Sequence, residues 1–176
     1  MAGNTAARIY ALWQRLSDRP GGKRLFAWLL GRAVPYSGSV RPYVVELSPG
    51  HARVEIVDRR AIRQHLGSVH AIALANVGEL ASGLAMTAGL PPTVRGIVTG
   101  LSIEFRKKAR GRLTTTSDVT IPSTVPGPVE HVVEAVTTDE SGDVVAVTRV
   151  TWRLAPVEVP RAAPADATRT AAARQA

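Results

Sequence analysis

The chain contains no cysteine. That excludes a disulfide framework and a thiolate metal site, and it is compatible with a cytoplasmic location. Aromatic residues make up only 5% of the 176 residues, and Asp and Glu are outnumbered by Lys and Arg, 14 to 22. No internal repeat is present. The N-terminus lacks the sequence of basic segment, apolar run and small-residue site that marks a secretory leader, so none is expected.

What the chain has is a 45% hydrophobic composition, fitting one domain with a real core, and a formal net charge of +8. The stretch after Leu154 contributes little of that charge, so the body is strongly basic. A basic body favours anionic partners: a phosphorylated small molecule, nucleic acid or an acidic membrane surface.

From Gln64 to Ala88 runs a stretch rich in Ala, Gly and Leu with a single charge, Glu79. Beyond an initial turn it reads as one long helix whose only other polar side chains are His70, Asn76, Ser82 and Thr87. Apolar residues lie all round this helix, which predicts burial on more than one side. It is long enough to span a bilayer. Glu79 would then sit at mid-membrane, at a cost of roughly 2.5–3.5 kcal/mol, and the alternating strands around it favour a protein core instead.

Upstream, Ile9, Leu12, Trp13 and Leu16 recur at helical spacing, Pro20-Gly21-Gly22 breaks the pattern, and a second helix carries Leu25 to Leu30. This N-terminal extension over 1–34 reads as a helical cap; a lid over an apolar site or a foot on a membrane surface are the sharper alternatives. Residues 35–42 read as a loop. A hairpin follows at Tyr43–Leu47 and Ala52–Val57, and Pro91-Pro92 closes the helical region. Long strands are expected at Gly96–Lys107, Arg112–Ile121, Val129–Thr138 and Asp143–Leu154. The tail, 156–176, has the Ala/Pro/Arg/Thr composition of a disordered segment. Strands with a single central helix indicate an α+β fold, a curved antiparallel sheet wrapped around that helix within residues 35–155.

A lone carboxylate on a buried helix is costly unless it is paired, hydrogen-bonded or needed. Glu79 is therefore the leading candidate for chemistry, with a structural carboxylate bonded to Asn76, Ser82 or a dimer partner as the alternative. Gly67 permits a tight turn before the helix, and Ser68 is the expected N-cap. Amides near His70 and Ala71 would then face an anion or a polarised carbonyl. Nine residues separate His70 from Glu79, half a turn in excess of whole turns and roughly 13–14 Å of rise. One chain cannot easily bring both to one site. Two antiparallel helices across a two-fold axis could. His65 and His70 lack a third metal ligand, so no metal is expected. His51 and His131 read as surface or edge residues. Arg106, Lys107, Lys108, Arg110 and Arg112 form a basic run at a strand end, read either as a solvated hairpin tip or as a phosphate-capturing mouth. With only Phe105 nearby to stack on bases, nucleic acid is not expected as a partner.

Gln64, Gly67, His70 and Glu79, with Ala71-Ile72 after the histidine, resemble the signature of hotdog-fold acyl-CoA thioesterases, especially the PaaI-type branch. That signature runs Asn, Gly and His-Gly-Gly, each three residues apart, with an acid nine residues past the histidine. The run Ile103–Leu113 and the final strand Val147–Leu154 are similar to the same family, and Pro20–Arg32 with Gly67–Ala81 is similar to an uncharacterised subgroup of it. The resemblance implies a hotdog fold paired as a dimer or dimer of dimers. It implies hydrolysis of acyl-CoA thioesters with no cofactor beyond the coenzyme A of the substrate. Glu79 would be base or nucleophile, the amides of Ala71 and Ile72 the oxyanion donors, and His70 and Gln64 orienting groups. Gly67, Asn76, Ser82, Arg106, Lys107, Lys108 and Arg110 would line the substrate site. The chain departs from the pattern at Ala71-Ile72, where the family has Gly-Gly, and at Gln64, where it has Asn. A non-catalytic acyl-CoA or lipid-binding protein is the competing expectation.

Overall fold

The computed structural model describes residues 2–157, with side chains from Arg8 onward. All but the first two residues of the tail at 156–176 lie outside the described residues. Helix α1 (Ala2–Leu16) and helix α2 (Gly22–Ala33) form the N-terminal hairpin. They are clasped where the Trp13 and Phe26 rings meet edge to face, 5.1 Å between centroids. Between them Gly21 sits at φ +74°, a left-handed conformation glycine adopts without strain. The stretch read as a loop opens with a single helical turn, α3 (Pro35–Gly38), started by proline at its first position.

Six strands follow: β1 (Tyr43–Ser48), β2 (His51–Val57), β3 (Val94–Phe105), β4 (Arg112–Asp118), β5 (Val129–Thr138) and β6 (Val144–Pro156). They form one antiparallel sheet in the order β1-β2-β4-β5-β6-β3. Alternation sets the faces. On β2, Ala52, Val54 and Ile56 point inward, and on β4, Leu113, Thr115 and Ser117 do. The inward hydroxyls of β4 are satisfied: Thr115 pairs with Thr137 at 2.9 Å, and Ser117 donates to the Glu134 carbonyl at 2.8 Å.

Helix α4 (Ala71–Gly89) lies in the concavity and touches all six strands. Its small residues permit this. A Cβ on Gly78 would stand 2.4 Å from Thr148 Oγ1 on β6, so only glycine allows that approach. The helix is long and apolar enough to cross a membrane, and here most of it is packed as the core.

The helix begins later than its sequence suggests. Ser68 is not the N-cap; His70 is, its Nδ1 accepting from the Ile72 amide at 3.1 Å. Val69 is held in extended backbone by a bridge to Arg63, and its N–H donates to the Ala109 carbonyl. The helix cannot start until that bridge ends.

Candidate functional site

Glu79 stands half-buried on α4 at the rim of a cavity of about 530 Å³. Among the described residues its carboxylate has no hydrogen-bond or ion-pair partner, and burial pushes its pKa above the usual carboxylate range. The cavity is lined mainly by apolar groups. Gly83 and Thr87 continue the Glu79 face of α4 at four-residue spacing, Trp152 of β6 stands beside them, and Tyr10 and Gln14 of α1 close the opposite side. Thus a carboxylate without a counterion faces a largely apolar space. That is the environment that makes a carboxylate a stronger base.

A second cavity, about 380 Å³, opens at the start of α4. Gln64, Ser68 and Ala71 line it together with Arg106, Lys107 and Lys108. The fold therefore joins the expected helix-start groups to the basic run, and leaves Glu79 in the other cavity. Gly67 takes the expected turn conformation at φ +70°, and its carbonyl accepts from Arg110 Nε at 3.2 Å. Gln64 Nε2 donates to Ser68 Oγ at 2.9 Å.

Several expected roles are corrected by these contacts. The Ile72 N–H is already bonded to His70, so among the described residues Ala71 keeps the free amide at the helix tip. Ser82 is fully buried; its hydroxyl donates to the Glu79 backbone carbonyl at 2.8 Å and accepts from Trp152 Nε1 at 3.4 Å. Asn76 is buried and donates from Nδ2 to the Tyr36 carbonyl at 3.2 Å, tying α3 to α4. Neither side chain lines either cavity or bonds the Glu79 carboxylate. Lys107 lies 2.6 Å from both Asp139 and Asp143, which hold its pKa up, so it clasps the β5–β6 turn. Arg106 pairs with Glu104. Lys108 has no anionic partner among the described residues. No three His, Asp or Glu side chains among them group to hold a metal.

Sequence reasoning missed Gly83, Trp152, Tyr10 and Gln14. The spacing of Glu79, Gly83 and Thr87 on one helix face was the available signal for the groove.

An antiparallel sheet enclosing one long helix is the hotdog fold, and solved structures confirm the match. A structural-genomics protein, APC5556, has a TM-score of 0.74 at 30% identity, over 87% of this chain and 99% of its own. PA5026 of Pseudomonas aeruginosa, described as of unknown function and a probable thioesterase, has 0.68 at 22%, over 76% and 95%. The thioesterase SAV0944 of Staphylococcus aureus has 0.61 at 16%, over 69% and 99%. No curated protein matches the sequence. Residues 22–154 match the family described as a domain of unknown function, DUF4442, and the chain belongs to it.

Proposed function

We propose that the protein hydrolyses acyl-CoA thioesters, in the manner of a PaaI-type hotdog enzyme, with Glu79 as base or nucleophile. The observation that carries this reading is the uncompensated Glu79 carboxylate on an apolar cavity. As base, Glu79 takes a proton from water while the water oxygen bonds to the acyl carbon. The C–S bond breaks, the coenzyme A thiolate leaves and is protonated, and the free acid remains. Donors at an α4 tip stabilise the oxyanion.

Glu79 and the tip of its own helix are too far apart for this, so the working unit is a homodimer or a dimer of dimers. Each site pairs Glu79 of one protomer with the Ala71 amide of the other. Strand β3 supports the reading. It is one of the two edges of the sheet, twelve residues long, with Ile97, Leu101 and Phe105 exposed. Long apolar edges are normally covered. Lys108 and Arg110, beside the helix start, would face the phosphates of coenzyme A. Two structures of the S. aureus thioesterase carry alanine in place of a glutamine and of a glutamate, and those positions are fifteen residues apart, the spacing of Gln64 and Glu79.

The test is a thiol-release assay over acyl-CoA substrates, with the mass in solution measured alongside. Turnover by a dimer or tetramer is expected; turnover by a strict monomer contradicts the shared site. A second reading, acyl-CoA binding without hydrolysis, is favoured by the occupied Ile72 amide. It predicts binding with no thiol release.

A further inference from the structure

We infer that helix α1 completes an acyl-chain groove, so that the preferred substrate carries a long aliphatic chain. This rests on the thioester reading for the chemistry at Glu79, but the groove itself is read from other residues.

Glu79, Gly83 and Thr87 fall one above another on α4, a line of about 12 Å by helical rise. The cavity follows it to the Leu90–Pro92 turn. Gly83 makes the floor. A Cβ there would lie 3.3 Å from the Trp152 ring and 4.0 Å from Glu79 Oε1, so any larger side chain would fill the channel beside the carboxylate. Thr87 donates its hydroxyl to the Gly83 carbonyl at 2.6 Å, which leaves that hydroxyl hydrogen unavailable to a ligand. The facing wall is α1, through Tyr10, Ala11 and Gln14. The space is mainly apolar and runs along α4, with Glu79 at one end and the Leu90–Pro92 turn at the other. A single aromatic ring would leave most of its 530 Å³ empty. A polar acyl group would find only a few partners in this lining, Gln14 and Arg95 among them, and would lose its water along the rest. A methylene chain fits both constraints, each buried carbon adding about fourfold to affinity.

The probes are free fatty acids from butanoate to hexadecanoate, titrated calorimetrically against the full chain, beside kcat/KM for the matching acyl-CoA series. Affinity is expected to rise with length and then level off. Ala11→Trp, which narrows the groove from an exposed helix position, should move the plateau to shorter chains. Tyr10→Ala should move it to longer ones. Opposite shifts cannot arise from misfolding. Affinity independent of length, or a plateau that neither variant moves, overturns the assignment, even if thiol release is robust. Length-dependent binding that both variants shift, without any thiol release, supports the groove and removes the hydrolytic reading alone.

Discussion

His70 caps its own helix: its Nδ1 takes the Ile72 N–H at 3.1 Å, which fixes that nitrogen as an acceptor and leaves the proton on Nε2. The residue thus orders the helix tip by local bonding. Replacing an N-cap acceptor by alanine costs about 1 kcal/mol. His70→Ala should lower unfolding stability by that amount, and His70→Asn, a good cap, should restore it. Urea denaturation reads both; equal stability of all three proteins would remove the cap from the account.

Gly78 sets how closely α4 approaches β6. A methyl there collides with Thr148, so Gly78→Ala should cost about 1–3 kcal/mol by overpacking. Adding Thr148→Ala should recover part of it. The double-mutant cycle, measured by denaturant melts, would contradict the packing if the two effects were simply additive.

Burial raises the Glu79 pKa, so the folded chain holds that proton more tightly than the unfolded chain. The ionised residue therefore lowers stability as pH rises from the ordinary carboxylate value through the raised folded one. Glu79→Gln should melt higher than wild type at neutral pH, and the gap should close in acid. A gap that widens in acid would reverse the sign and refute the burial argument.

His51 shifts stability with pH in the same direction for the opposite reason: its charged form is favoured by partners, whereas that of Glu79 is penalised by burial. Asp118, 2.7 Å from Nδ1, and Glu46, 3.2 Å from Nε2, raise its pKa. Its contribution is fully present below the unfolded value of about 6.5 and is lost as pH rises through the folded value. The stability difference between wild type and His51→Gln should shrink over that window. Because the site is largely exposed, the effect should be small and screened by salt.

The fold was legible in the sequence because its signals are local. Alternation on β2 and β4 gave their faces, and the Ala/Gly/Leu content of α4 gave its burial. Glu79 stood out as the lone charge on that helix. What was not legible depends on distant partners. Asn76 meets a carbonyl 40 residues away, and Ser82 an indole 70 residues away. The true start of α4 depends on the Val69–Ala109 bond. The basic run left Lys107 open between a hairpin tip and a phosphate mouth; the β5–β6 turn brings Asp139 and Asp143 against it. The role of α1 was open because helical spacing shows that a helix packs, not which cavity it closes.

The most direct measurement is the rate of thiol release from an acyl-CoA substrate by Glu79→Gln beside the wild-type protein, with circular dichroism and oligomer mass matched. Gln keeps the shape of the side chain and removes the base, so kcat should fall by about 100-fold or more while the fold and assembly persist. Turnover within a factor of a few of wild type would contradict the central claim.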